Sequence, residues 1–144
     1  MKISIGSDHR GHNQRTTLTE ILESLGHQVD DCGSFGEASA DYPDIAVVVC
    51  KNVVDGKSDR GILVCGTGIG MSIAANKVDG IRAALVSTPE AATLSTQHNN
   101  ANMLCLAGND YQPEHYRQVV AAWLEAEFEG GRHQRRLDKV AGLE

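Results

Sequence analysis

The chain alternates between two hydrophobic rhythms. Short apolar runs at Lys2–Gly6, Gln28–Cys32, Gly61–Cys65, Ile81–Val86 and Met103–Leu106 read as strands. Between them, apolar positions recur at helical spacing. Leu18, Ile21, Leu22 and Leu25 share one helical face, and Gly26 stops that helix. Pro43 suits the first position of a helix that continues over Ile45–Val54. Further helices are predicted over Gly70–Lys77, from Pro89 to Gln97, and through Tyr116, Val119, Val120, Trp123 and Leu124. Gly130-Gly131 breaks the last of these, and a basic helix follows from Arg132 to Val140. A loop rich in Gly, Ser and Asp leads from the second strand to Tyr42-Pro43. Strands separated by helices predict an α/β fold: a five-stranded parallel sheet, helices on both faces and an extra C-terminal helix. No repeat or composition break divides residues 1–144, so one domain is expected.

In such sheets, ligands bind at the carboxyl ends of the strands. Asp8-His9 follow the first strand and Cys65 closes the third, so both belong to one edge. His98-Asn99 precede the fifth strand and reach that edge only if a loop or a partner chain allows. The richest stretch is Gly61-Ile62-Leu63-Val64-Cys65-Gly66-Thr67-Gly68-Ile69-Gly70. A buried strand ends in a thiol, then glycines open a loop of backbone N–H donors leading into a helix. Such donors suit an anion, and thiolates are stabilised at helix N-termini. A thiolate base facing a cradle for negative charge fits proton abstraction with a stabilised oxyanion. The loop by itself equally fits Cys65 as a small hydrophobe before a tight turn. It is not the G-x-G-x-x-G of dinucleotide folds. A thiol phosphatase would need arginine at the position of Met71.

Composition narrows the partners. The formal net charge of −6 argues against nucleic acid and anionic membranes. An anionic substrate must therefore meet a local basic cluster. Arg132 and Arg136 share a helical face and could supply one, or could simply face solvent. No apolar run approaches the roughly 20 residues of a membrane span. The four cysteines form no C-x-x-C pair, and Met1–Gly6 is strand-like rather than a signal peptide. A reduced, cytoplasmic protein is expected, with Cys50 and Cys105 as plain core residues. Asp8 and His9 could be loop solvation, and His98-Asn99-Asn100 could be a helix cap.

Several segments together go further. Gly6-Ser7-Asp8-His9-Arg10-Gly11, Asp41-Tyr42-Pro43, Cys65 through Lys77, Gln97-His98-Asn99-Asn100-Ala101-Asn102 and Glu129-Gly130-Gly131-Arg132-His133 occur in this order. The chain resembles the ribose-5-phosphate isomerase B family, which includes the galactose-6-phosphate isomerase subunits, over essentially its full length. The resemblance implies a Rossmann-like aldose–ketose isomerase of a sugar phosphate, with no metal or cofactor, built as a homodimer or dimer of dimers with shared sites. It implies that Cys65 moves the proton between C1 and C2. Backbone donors of Gly66, Gly68, Ile69 and Gly70, with Asn99, would hold the enediolate. Thr67 would orient the thiol or relay a proton. Asp8 and His98 would handle ring hydroxyls and ring opening. His9, Arg132 and Arg136 would hold the phosphate, and Tyr42 would pack near the sugar. Some members use a glutamate six positions after the cysteine position; here that residue is Met71. Members usually carry Gly-x-Arg after the fifth strand. Asn109 stands at that arginine's place, so a cation is missing and the substrate range is expected to shift.

Overall fold

A computed structural model describes residues 1–33, 40–109 and 112–144. Part of the loop before Tyr42 (34–39) and the residue after Asn109 in the family comparison, Asp110, lie outside the described residues. Strands β1 (Lys2–Ser7), β2 (Gln28–Asp31), β3 (Arg60–Cys65), β4 (Ala83–Leu85) and β5 (Met103–Ala107) form one sheet in the order β2-β1-β3-β5-β4. Every pairing is parallel, as the strand–helix alternation predicts. The helices are α1 (His12–Ser24), α2 (Tyr42–Val54), α3 (Ile69–Ala75), α4 (Pro89–Asn99), α5 (Pro113–Glu125) and α6 (Arg132–Ala141). A single 3-10 turn, His9–Gly11, links β1 to α1.

Strand alternation divides the core into two layers. Ile62, Val64, Leu104 and Leu106 face one layer, filled by Leu18, Ile21 and Leu22 of α1 and by Val119, Val120 and Trp123 of α5. Leu63, Cys65, Met103 and Cys105 face the other, filled by Ala46, Val49 and Cys50 of α2 and by Met71 and Ala75 of α3. Near-continuous apolar runs such as Ile62–Cys65 are what a sheet covered on both faces requires. The alternation turns Cys65 toward α2 and α3, the helices that border the glycine loop.

Several element ends differ from the sequence expectation for identifiable reasons. β4 is shorter than Ile81–Val86 because side chains replace its ladder at the start. Asn76 brackets Ala83, donating to its carbonyl (3.0 Å) and accepting from its N–H (2.9 Å), while Asn102 Oδ1 accepts from Arg82 N–H (2.8 Å). The same asparagine ends α3 at Ala75 rather than Lys77. α5 stops at Glu125, where Ala126 is extended, and not at Gly130-Gly131. α2 starts at Tyr42, with Pro43 in its first turn, three residues before Ile45. α4 runs on to Asn99, closed by Asn100 in the left-handed conformation at φ 46°.

Candidate active site

The site is built on the carboxyl ends of β1 and β3. Asp8 leaves β1 with its N–H bonded to Val64 O (3.2 Å), and its Oδ1 accepts from Arg10 N (3.0 Å) and Gly11 N (3.1 Å). This carboxylate fixes the turn that carries His9 and Arg10. Cys65 ends β3 and is buried, at 6% exposure. The segment after β5 is sewn to the same edge: Gly108 N donates to Cys65 O (2.7 Å) and Asn109 N to Gly66 O (2.9 Å). Gln14 adds a bond from Nε2 to Gly108 O (3.0 Å), and the Tyr116 hydroxyl donates to Ala107 O.

Two glycines of the loop are required by geometry. Gly68 has φ +76°, and a Cβ there would lie 3.0 Å from the Leu106 carbonyl carbon. A Cβ on Gly70 would lie 2.8 Å from Tyr42 Cζ, so the tyrosine ring packs directly on glycine backbone. The Gly70 N–H, in the first turn of α3, has no helical partner. The Ile69 N–H is already accepted by Thr67 Oγ1 (3.2 Å), so the threonine shapes the loop and leaves that donor occupied.

Together these elements enclose a cavity of about 320 Å³ lined by Asp8, His9, Tyr42, Cys65, Gly66, Thr67 and Gly70 of the expected set. Gly68 and Ile69 do not line it. Residues that the sequence reading did not assign also line it, among them Arg10 and Asp41, together with Asn109. Their neighbours in sequence were informative, but nothing in their own spacing set Arg10 or Asp41 apart.

His98, Asn99, Arg132 and Arg136 form a separate group. His98 and Asn99 end α4, just before β5 begins at Met103. Cys65 pairs with Ala107, at the far end of β5. The ladder between the Gly61–Met103 pair and the Cys65–Ala107 pair spans about 13 Å of strand. Within one chain, therefore, His98 and Cys65 lie at opposite edges of the sheet. His98 stacks on His133, with ring centroids 4.3 Å apart and planes 10° apart. His133 is buried, and its Nε2 lies 3.3 Å from Glu129 Oε2. Arg132 and Arg136 are exposed, with no ion-pair partner among the described residues. Asn99 lies on a larger cavity of about 680 Å³ that also reaches Leu137 and Val140 of α6.

His98, Glu129 and His133 place their ligand atoms within 4.8 Å of one another. In nearly parallel stacked rings, however, the in-plane nitrogen lone pairs run side by side instead of converging on one ion. Burial, then the Arg132 charge, lower the affinity of His133 for a proton. All four cysteines are free. Burial pushes the Cys50 thiol up to about 11 and Cys105 higher still, consistent with inert core residues. No helix among the described residues is long and apolar enough to cross a membrane.

The family model described as Ribose/Galactose Isomerase matches residues 3–140. Ribose-5-phosphate isomerase B of Escherichia coli is 43% identical over 99% of this chain and 96% of that protein. D-erythrulose-4-phosphate isomerase of Pectobacterium atrosepticum is 40% identical over 100% of this chain and 95% of its own length. The solved structure of ribose-5-phosphate isomerase B from Mycoplasma genitalium with bound ribulose-5-phosphate has a TM-score of 0.92 and 43% identity, covering 99% and 95% of the two chains.

Proposed function

Because the chain belongs to the ribose/galactose isomerase family, we propose that it is an aldose–ketose isomerase interconverting ribose 5-phosphate and ribulose 5-phosphate in the cytoplasm, with residues 1–144 acting as one catalytic domain. The observation that carries this reading is that Cys65, buried at the end of β3, lines the cavity beside the Gly66–Gly70 loop. After ring opening, the Cys65 thiolate removes the C2 proton and the C1 carbonyl oxygen becomes the enediolate oxygen. The C2 hydroxyl proton passes to the C1 oxygen, with Thr67 at the cavity as the relay, and the same thiol returns its proton to C1, so that C2 becomes the carbonyl and the ketose forms. Fixed backbone donors such as the Gly70 N–H stabilise the oxyanion; one such donor is typically worth about 2.7–4 kcal/mol. Asp8 is held rigidly enough to orient a sugar hydroxyl, and Tyr42 walls the cavity. Met71 is buried and apolar, so no carboxylate competes for the base's role six positions after Cys65.

His98 as the ring-opening acid–base, and Arg132 and Arg136 as phosphate ligands, cannot join Cys65 within one chain. The reading therefore requires a homodimer in which one subunit's α4–α6 corner faces the other's cavity. Exposed apolar residues beside the cradle support this assembly. Ile69 and Ile73 lie on one face of α3, at 52% and 58% exposure, and Leu85 of edge strand β4 is at 44%. Leu85 also packs against Gly68, which makes the apolar surface continuous with the loop.

A second reading, turnover of a four-carbon sugar phosphate, is favoured by Asn109, which lines the cavity without a charge. Incubation with four-, five- and six-carbon aldose phosphates in deuterated water tests both. Deuterium entering C2 or C1 together with ketose formation, most efficiently with ribose 5-phosphate, is expected. Binding without exchange would leave only a sugar-phosphate binding module.

A further inference from the structure

Arg10 has no role in the mechanism above. It is exposed, it lines the cavity beside His9, and no carboxylate among the described residues pairs with it. Its backbone is nevertheless held in place, because Asp8 Oδ1 accepts the Arg10 N–H at 3.0 Å. The Arg10 side chain leans over the glycine loop. Its Cδ passes 3.9 Å from the place a Cβ would take on Gly66, and the Asn109 amide lies 3.6 Å from that same place. Arg10 and Asn109 thus flank one spot at the cavity rim, from the β1 side and the β5 side.

The charges of the cavity make this spot important. Its described lining holds two carboxylates, Asp8 and Asp41, and Arg10 is its one permanent cation. His9 can add only a partial charge near neutral pH. Of these charges only Arg10 permanently attracts a phosphate dianion, and without it the two carboxylates would stand unopposed. Asn109 offers hydrogen bonds but no charge. An arginine at 109 would project into the space that the Arg10 side chain now crosses.

We infer that Arg10 is a phosphate-binding residue of this site, supplying from the β1 turn the cation that Asn109 does not supply from the β5 loop. The inference rests on the sugar-phosphate isomerase reading above. The guanidinium binds phosphate oxygens through two parallel N–H donors, as arginine geometry favours. Together with His9 it holds the phosphate on the β1 side of the cavity, with Cys65 on the neighbouring strand.

The test compares native protein with Arg10→Ala, Arg10→Lys and the double variant Arg10→Ala/Asn109→Arg. Two quantities are read: KM for ribose 5-phosphate, and the concentration of inorganic phosphate that half-protects each protein in thermal unfolding. Arg10→Ala should raise both by about tenfold or more, with the loss falling mainly on KM rather than kcat. Arg10→Lys should recover part of the affinity, since a point charge lacks the bidentate fork. The double variant should recover more, because its new arginine reaches the same spot. Unchanged KM and phosphate protection in Arg10→Ala would overturn the inference, and so would a double variant as weak as Arg10→Ala. Native protein that binds phosphate through Arg10 but isomerises no aldose phosphate would defeat the isomerase reading instead.

Discussion

At the carboxyl edge of the sheet, Cys65 and Asp8 are held by strand register, a carboxylate cap and the bonds from Gly108 and Asn109. At the other edge, His98 is held by a ring stack on the buried His133, beside two exposed arginines with no partner among the described residues. The first region lines a cavity with a thiol and a loop of backbone donors, and its lining holds one permanent cation, Arg10. The second carries stacked imidazoles and two exposed arginines but no glycine loop of backbone donors. Each holds what the other lacks, and about 13 Å of sheet separates them within a chain. Backbone bonds and strand register thus fix the first region, whereas the second is fixed by side-chain stacking and leaves its arginines exposed.

The largest effect should come from the first region. Cys65→Ala should lower kcat by about 10²–10⁴-fold, the usual worth of a positioned acid–base group. Ribose 5-phosphate should still protect the variant in thermal unfolding, because the phosphate is held elsewhere. Substantial turnover in the variant would remove Cys65 from the base's role.

The second region should respond selectively. His98→Asn should reduce turnover of ribose 5-phosphate by about 10²-fold. A four-carbon aldose phosphate, which cannot close a stable furanose, should lose much less. Parallel kinetics on the two substrates check this, and equal losses would contradict a ring-opening role. Arg132→Ala and Arg136→Ala should each raise KM by about tenfold, as expected for one charge-assisted hydrogen bond. Their effect on an unphosphorylated inhibitor should be small.

The smallest expected effect is one of stability. Burial, followed by the charges of Arg132 and His98, lowers the proton affinity of His133 below the ordinary value of 6.5, with Glu129 opposing. The unfolded chain therefore takes up a proton first as pH falls through 6.5, and folding stability should decline from there toward the lower folded value. In His133→Phe, which preserves a stacked ring, denaturant melts from pH 7.5 down to 5 should show less of this slope.

Much of this was legible in the sequence. The run Ile62–Cys65 and the glycines after it specify a buried strand and a tight loop, since few other residues tolerate the φ of Gly68 or the approach of Tyr42 to Gly70. The less legible features depend on contacts distant in sequence. Arg15 is 2% exposed, yet it bonds Ser7 Oγ (2.7 Å) and pairs with Asp31 (2.9 Å), tying α1 to β1 and β2 just beneath the site. No local pattern marks it as buried. The Gln97–Asn102 motif also proves largely architectural. Asn100 caps α4 and Asn102 brackets the start of β4, which leaves His98 and Asn99 as its candidates for chemistry. Arg10 was hidden for a similar reason, because its significance depends on a neighbour 99 positions away, Asn109.

A homodimer whose two regions meet across a subunit boundary is tested most directly by complementation between subunits. Cys65→Ala and His98→Asn proteins, each inactive alone, should be mixed under conditions that exchange subunits, with exchange confirmed by mass-tagged chains. In each heterodimer one site carries both lesions and the other carries neither. With random exchange, half of the dimers are hybrid, so activity should return to about one quarter of the native value per site. No recovery despite confirmed exchange would place both residues in one chain's site and contradict the account.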